Sequence, residues 1–203
     1  MSQIERIIQG SEELFLRAGI KSITMDDIAK HIGMSKKTIY QFFKDKNDLV
    51  TASVRKKLKE DEAQIVDIIS KSENVIDEMI NMMKCSEDVL SRINPVVMHD
   101  LQKYHHEAWT EFQKFKSGVL ISMMEELLTK GMKQGYIRTD IDVKIIARMR
   151  VSQIEFGFNT EIFPVSEFST VKVQMQFLEH FNYGICTLKG YKLLNQYQNK
   201  HDE

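Results

Sequence analysis

Hydroxyl and ammonium groups are concentrated between residues 35 and 40, without a single carboxylate among them. Side chains of these types donate hydrogen bonds to phosphate oxygens and to base edges. This stretch therefore has the chemistry of a helix that enters a polyanionic groove, and Lys44 and Lys46 extend its basic edge. The donors within it are Ser35, Lys36, Lys37, Thr38 and Tyr40.

The histidines near the middle of the chain are candidate metal ligands. They occur as His99-Asp100 and as His105-His106-Glu107. On a continuous helix His99 and His106 would lie about 10 Å apart along the axis, and adjacent histidines would point about 100° apart, so neither pair suits one ion. The sequence also contains no phosphate-loop, dinucleotide-binding, zinc-protease or nucleophile-elbow motif. We therefore expect no catalytic residue, no metal site, no cofactor and no enzyme activity.

The elements that position the donors are predicted to be helices throughout. Proline occurs only twice, and no alternation of apolar and polar residues marks a strand. Apolar side chains recur at helical spacing in about nine segments, which indicates an all-α fold. The first segment ends at Gly19, Thr24 caps the second, Ser35 caps the third, and the fourth runs from Lys46 to Ser70.

The second and third helices have the spacing of a helix-turn-helix. Such a unit needs a small residue where the helices cross, a glycine in the turn four residues later, and an apolar residue six positions further on. Ala29, Gly33 and Ile39 meet this spacing. An ordinary helical hairpin would meet it as well, so the donors on the third helix are what favour DNA binding.

The chain resembles the TetR-type transcriptional regulators over about its first fifty residues. The specific part is Y-x-x-F-x-x-K, here Tyr40, Phe43 and Lys46, followed by Leu49. The resemblance implies a DNA-binding head over residues 1–47 and an effector-binding and dimerisation body over residues 48–203. The matching stretch, residues 24–49, reads T-M-D-D-I-A-K-H-I-G-M-S-K-K-T-I-Y-Q-F-F-K-D-K-N-D-L.

The resemblance also assigns roles within the head. It implies that Tyr40, Lys46, Thr24 and Thr38 contact phosphates. Lys36, Lys37 and Gln41 fall where the family varies, and they are therefore the candidates for reading base edges, with guanine as the base that lysine prefers. Lys37 stands where many relatives have a small residue or proline. The operator sequences of those relatives therefore do not predict the sequence that this chain binds.

Several apolar residues of the first fifty are predicted to fill the core of the head, because apolar side chains at helical spacing normally face inward. These residues are Phe15, Ile28, Ile39, Phe42 and Phe43.

The body is rich in methionine, which suits either an adaptable ligand cavity or plain core filling. The resemblance implies a pocket for an unknown, apolar or amphipathic effector among the helices between residues 75 and 160. Glu107 and Glu155 could select a cation there, although surface solvation explains both equally well. The candidate lining residues are Met98, Leu101, Trp109, Phe112, Met123 and Phe156.

Two further expectations concern assembly and partners. The resemblance implies that the apolar stripe from Phe177 to Leu188 and the helix at 141–160 pair with the same elements of a second copy and form a four-helix bundle. Burial of the stripe within the monomer is the alternative. A homodimer would then bind palindromic double-stranded DNA. Residues 1–60 carry 12 basic and 8 acidic side chains, an excess of the sign that DNA attracts.

The composition favours a cytoplasmic protein with no membrane segment. Hydrophobic residues make up 42% of the chain and charged residues 28%, which is typical of a globular domain that folds without disulfides. Two alternatives to a regulator stay open at this level. They are a helical protein that binds a small molecule or metal without recognising DNA, and an enzyme in an all-helical fold.

Overall fold

The computed structural model describes residues 2–199, and within that range it is helical, with one isolated antiparallel bridge between Ile137 and Cys186 and no strand. The ends of the two predicted domains, Met1 and residues 200–203, lie outside the described residues. The helices are α1 (Gln3–Ala18), α2 (Met25–Ile32), α3 (Lys36–Tyr40), α4 (Lys46–Lys71), α5 (Val75–Arg92), α6 (Val96–Tyr104), α7 (His106–Phe115), α8 (Ile121–Lys133), α9 (Val143–Phe156), α10 (Thr170–Ile185) and α11 (Leu188–Asn199).

The predicted all-α fold is confirmed. A π-helical segment, Lys116–Leu120, joins α7 to α8, so the helical stretch from His106 to Lys133 is continuous. None of the helices in the described range is long and apolar enough to span a bilayer.

The chain packs into two compact units. Within the described residues, the first unit comprises 2–61 and 92–115, and the second comprises 62–91 and 116–199. The predicted boundary after residue 47 falls inside the first unit, where Leu49 and Val50 of α4 are buried in its core. The functional division at that residue stays a prediction.

The core of the first unit contains most of the residues predicted for it. Phe15, Ile28, Ile39 and Phe43 are buried, and Ile7, Leu49 and Val50 join them. The prediction for Phe42 is wrong, because its side chain is 38% exposed. The physical reason is that α3 ends at Tyr40, so Phe42 lies in a turn where helical spacing no longer decides which side chains face inward.

The last predicted helix is in fact two. Cys186 adopts an extended conformation after α10, the Arg138 amide donates to the Ile185 carbonyl, and the Thr187 amide donates to the Tyr136 carbonyl. Leu188 then begins α11 and is 72% exposed, so it does not continue the α10 stripe. Leu178, Phe181 and Ile185 of that stripe are buried within the second unit.

Candidate functional site

The start of α2 is fixed by a reciprocal cap. The Asp27 amide donates to Thr24 Oγ1 at 3.2 Å, and the Thr24 amide donates to Asp27 Oδ2 at 2.8 Å. The Thr24 hydroxyl also donates to the same carboxylate at 2.6 Å, and these bonds lower the pKa of Asp27. Thr24 thus sets the position of α2 and remains the predicted phosphate contact at its first turn.

The turn between α2 and α3 depends on Gly33, whose φ of 64° places it in the left-handed region. The Met34 amide then donates to the Ala29 carbonyl at 3.0 Å, which closes the end of α2. Arg6 of α1 donates to the Ile32 carbonyl at 2.6 Å and ties the same turn to the first helix. The predicted spacing of Ala29 and Gly33 therefore produces the turn that it was expected to produce.

Helix α3 is anchored on one side and open on the other. Ser35 caps it by accepting from the Thr38 amide at 3.0 Å, and the two hydroxyls lie 2.8 Å apart. Ile39 is fully buried, and Thr38 is half-buried. The exposed polar residues of α3 and of the turn after it are Lys36, Lys37, Tyr40 and Gln41, and the partly exposed Phe42 lies beside them.

The two lysines at the start of α3 differ in their surroundings. Lys36 Nζ lies 2.7 Å from Asp26 Oδ2, and this bond raises the pKa of Lys36. Lys37 has no hydrogen-bond acceptor or carboxylate partner within the described residues. Sequence reasoning did not find the role of Asp26, which lies in the first turn of α2, ten residues before Lys36.

Lys46 is held by the backbone of the first unit. Its Nζ donates to the Ile20 carbonyl at 2.6 Å and lies 3.5 Å from the Lys21 carbonyl, in the α1–α2 loop. Burial lowers the pKa of Lys46. A phosphate contact by Lys46 stays a prediction, and in the structure the ammonium group fastens the start of α4 to the loop before Thr24.

The residues predicted to line a ligand pocket do not meet in one place. Met98, Leu101 and Phe112 line a pocket of about 150 Å³ in the first unit. Trp109 packs against the same unit's core, with its ring 5.4 Å from that of Phe112. Met123 lines a different cavity, in the second unit, and Phe156 is 46% exposed and stacks on Phe177.

The cavity of the second unit has a volume of about 160 Å³. It lies among the last turns of α4, helices α5, α9 and α10, and the stretch from the π-helical segment into α8. Four methionines suit it to ligands of varied shape. Its apolar lining includes Ile65, Ile69, Met79, Met82, Met123, Met124, Leu127, Val151, Ile154, Leu178 and Phe181.

Two charged side chains also line this cavity. Glu78 is buried and accepts from Lys130 Nζ at 2.7 Å. Arg150 is only 6% exposed, and burial lowers its pKa to about 10. Sequence reasoning missed Arg150, although its spacing from Ala147, Val151 and Ile154 places it on the inward face of α9.

The predicted histidine candidates do not form a metal centre. His105 is buried and its Nδ1 lies 2.7 Å from Asn47 Oδ1 at the start of α4. Within residues 2–199 no three side chains of the types that ligate metals lie together.

These observations define a helix-turn-helix protein with an internal cavity in a second helical unit. Residues 7–52 match the sequence model of a family described as bacterial regulatory proteins, tetR family. A relative from Bacillus subtilis, described as the uncharacterized HTH-type transcriptional regulator YvaF, is 27% identical over 83% of this chain and 88% of its own length.

Solved structures share the fold. A TetR-family transcriptional regulator from Agrobacterium tumefaciens superposes with a TM-score of 0.74 at 16% identity, covering 91% of this chain and 97% of that one. The transcriptional regulator FadR from Bacillus subtilis, in complex with stearoyl-CoA, gives a TM-score of 0.65 at 18% identity, covering 89% and 98%. Residues 7–52 are therefore a DNA-binding domain of the tetR type, and the whole chain is similar in sequence and fold to HTH-type transcriptional regulators.

Proposed function

We propose that the protein is a cytoplasmic repressor that binds a palindromic operator as a homodimer and leaves it when a small effector binds. The observation that carries the DNA-binding part is the exposed side of α3, which offers donors and no carboxylate while Ile39 anchors the opposite side in the core. Helices of this kind read base edges in the major groove.

Within that proposal the head residues divide into two groups. The first group reads base edges and consists of Lys36, Lys37 and Gln41. Of these, Lys37 has no partner among the described residues. The remaining residues contact phosphates and set the register of the helix on the duplex. These are Thr24, Ser35, Thr38, Tyr40 and Lys46.

The dimer is proposed to form through the outward face of α9. Ile145 is 63% exposed and Met149 is 45% exposed, and the two residues are one helical turn apart. Apolar side chains exposed together on one helix face favour contact with another protein surface. A second copy of this chain would present two heads to half-sites roughly 34–36 Å apart on the operator.

The effector is proposed to act through α4. This helix is continuous from Lys46 to Lys71, with Leu49 buried in the core of the first unit and Ile65 and Ile69 lining the cavity of the second. A ligand in that cavity touches the helix on which the head is built. For release, the ligand must bind the released conformation better, and a preference of about a hundredfold is worth about 2.7 kcal/mol.

The test of DNA recognition compares two lysine variants. Lys37→Ala should weaken binding to DNA from upstream of the protein's own gene by about 1–3 kcal/mol and relax its sequence preference, because a base contact is lost. Lys172→Ala removes the same charge from an exposed site on α10 and should leave both unchanged. Fluorescence anisotropy at several salt concentrations measures the two effects. Unchanged affinity and preference in Lys37→Ala would overturn the base-reading role.

A further inference from the structure

Arg150 is a buried cation without an anion. Its side chain is almost entirely enclosed, and its one hydrogen bond runs from Nη1 to Gln153 Oε1 at 3.5 Å. No carboxylate of the described residues lies within ion-pairing distance of it. The guanidinium carbon lies 5.9 Å from the centre of the Phe181 ring, which attracts it weakly. Within residues 2–199 its other N–H groups have no hydrogen-bond acceptor, and no guanidinium nitrogen is both fully enclosed and unpaired.

This arrangement is expensive for the protein by itself. A guanidinium removed from water loses its hydration, and buried arginines are normally paired with a carboxylate or phosphate for that reason. A pKa of about 10 leaves Arg150 charged at neutral pH. Because Arg150 lines the cavity, an anionic group of a ligand bound there would supply the counter-charge that the described residues do not.

The acidic residue of the same cavity is already paired. Glu78 is bound to Lys130 at 2.7 Å, so this carboxylate is offset by its own ammonium group. Asn182, which also lines the cavity, donates its Nδ2 only to the thioether sulfur of Met83, a weak acceptor. Arg150 is thus the charged group of the lining that has no ion-pair partner among the described residues, and a cationic ligand would face it with no carboxylate that is not already paired.

We infer that the cavity binds an organic carboxylate with an apolar body, and that Arg150 holds the carboxylate group. This inference rests on the proposed function, because it names the chemical class of the effector. The body would lie among the methionines and leucines of α5, α8 and α10. The volume of about 160 Å³ resembles that of a cavity of about 150 Å³ that accepts benzene, so the body is the size of one aromatic ring or a short alkyl chain.

The experiment uses the full chain and two matched pairs of probes at neutral pH. Octanoate is compared with 1-octanol, and benzoate with benzyl alcohol, by isothermal titration calorimetry. The carboxylates should bind at least tenfold more tightly than the alcohols, because only they neutralise Arg150. Charge-assisted bidentate bonds are the strong class of hydrogen bond.

Variants then assign the preference to one residue. Arg150→Met should weaken octanoate binding about tenfold to a hundredfold and leave 1-octanol binding unchanged. Arg150→Lys should keep part of the preference for octanoate over 1-octanol. Arg148→Met is the matched control, since Arg148 lies on the exposed side of α9 and pairs with Glu125, and it should bind both probes as the wild type does.

Two results would overturn the inference: equal binding of carboxylate and alcohol by the wild-type chain, or no carboxylate binding at all. The comparison of carboxylate with alcohol on the wild-type chain tests the inference even if Arg150→Met does not fold.

Operator binding is measured in parallel. If alcohols release the operator and carboxylates do not, the inference fails while the proposed function stands. If octanoate binds through Arg150 without changing operator affinity, the site stands and the proposed release step fails.

Discussion

The ammonium group of Lys36 lies 2.7 Å from the carboxylate of Asp26, so the first residue of α3 is tied to the first turn of α2. Both side chains are exposed, and neither is fixed by burial. The contact places an acidic group beside the side of α3 that is proposed to face DNA. Asp26 therefore limits how freely Lys36 can reach a base or a phosphate.

Removing that carboxylate should strengthen DNA binding. Asp26→Asn frees Lys36 and removes a negative charge next to the duplex, so affinity should rise about two- to fivefold at low salt, and less at high salt, where screening weakens exposed pairs. Asp67→Asn is the control, because it breaks a similar exposed pair with Lys71 on α4. A mobility-shift titration that shows weaker binding for Asp26→Asn would contradict this reading.

Two glycines of the head should respond differently to alanine. A Cβ on Gly10 would lie 2.2 Å from Cγ2 of the buried Ile32, so Gly10→Ala should lower the free energy of unfolding by about 3 kcal/mol. Gly33→Ala has room but a positive φ, and should lower it by about 1–2 kcal/mol. Gly118→Ala, whose Cβ would meet nothing within 4 Å, is the control. Urea denaturation measures all three, and equal losses for Gly10→Ala and Gly118→Ala would refute the predicted close packing.

The stability of the first unit should fall in mild acid because of His105. Burial, then Lys46 and His106, lower the pKa of His105 from its ordinary 6.5, while Asp100 opposes them. The unfolded chain then binds the proton more readily, so the contribution of neutral His105 is complete above pH 6.5 and is lost as the pH falls below that value toward the lowered pKa.

Thermal unfolding between pH 7.5 and 5 checks this prediction. The decrease in melting temperature should be smaller for His105→Gln than for the wild type, since glutamine can still donate to Asn47 and does not titrate. His31→Gln changes an exposed histidine that pairs with Glu13, and it serves as the control. Identical pH profiles for His105→Gln and the wild type would show that His105 does not contribute.

The dimer proposed for α9 should be sensitive to charge on its outward face. Met149→Glu, alone or with Ile145→Glu, would place carboxylates in an apolar contact and should shift the protein toward monomers. Val66→Glu introduces the same charge at an exposed apolar residue of α4 and should not. Sedimentation velocity gives the oligomeric state. A dimer that persists in the double variant would place the interface elsewhere.

The sequence by itself determined the local structure of the head. The caps Thr24 and Ser35, the left-handed turn at Gly33 and the inward position of Ile39 depend on residue types within a few positions of one another. Such interactions are formed within one or two helical turns, so spacing alone predicts them. The all-α fold and the TetR resemblance follow from the same short-range signals.

Only the tertiary structure decided which side chains meet across the chain. The carbonyl of Tyr136 and the amide of Arg138 bind the chain around Cys186, almost fifty residues later, and so end α10 where helical spacing predicts continuation. Arg150 is buried because α9 packs its inward face beside the cavity, although arginine is usually a surface residue. Periodicity shows which face of a helix turns inward, but the partners of that face are set by helices distant in sequence. The cavity and its unpaired cation therefore came from packing alone.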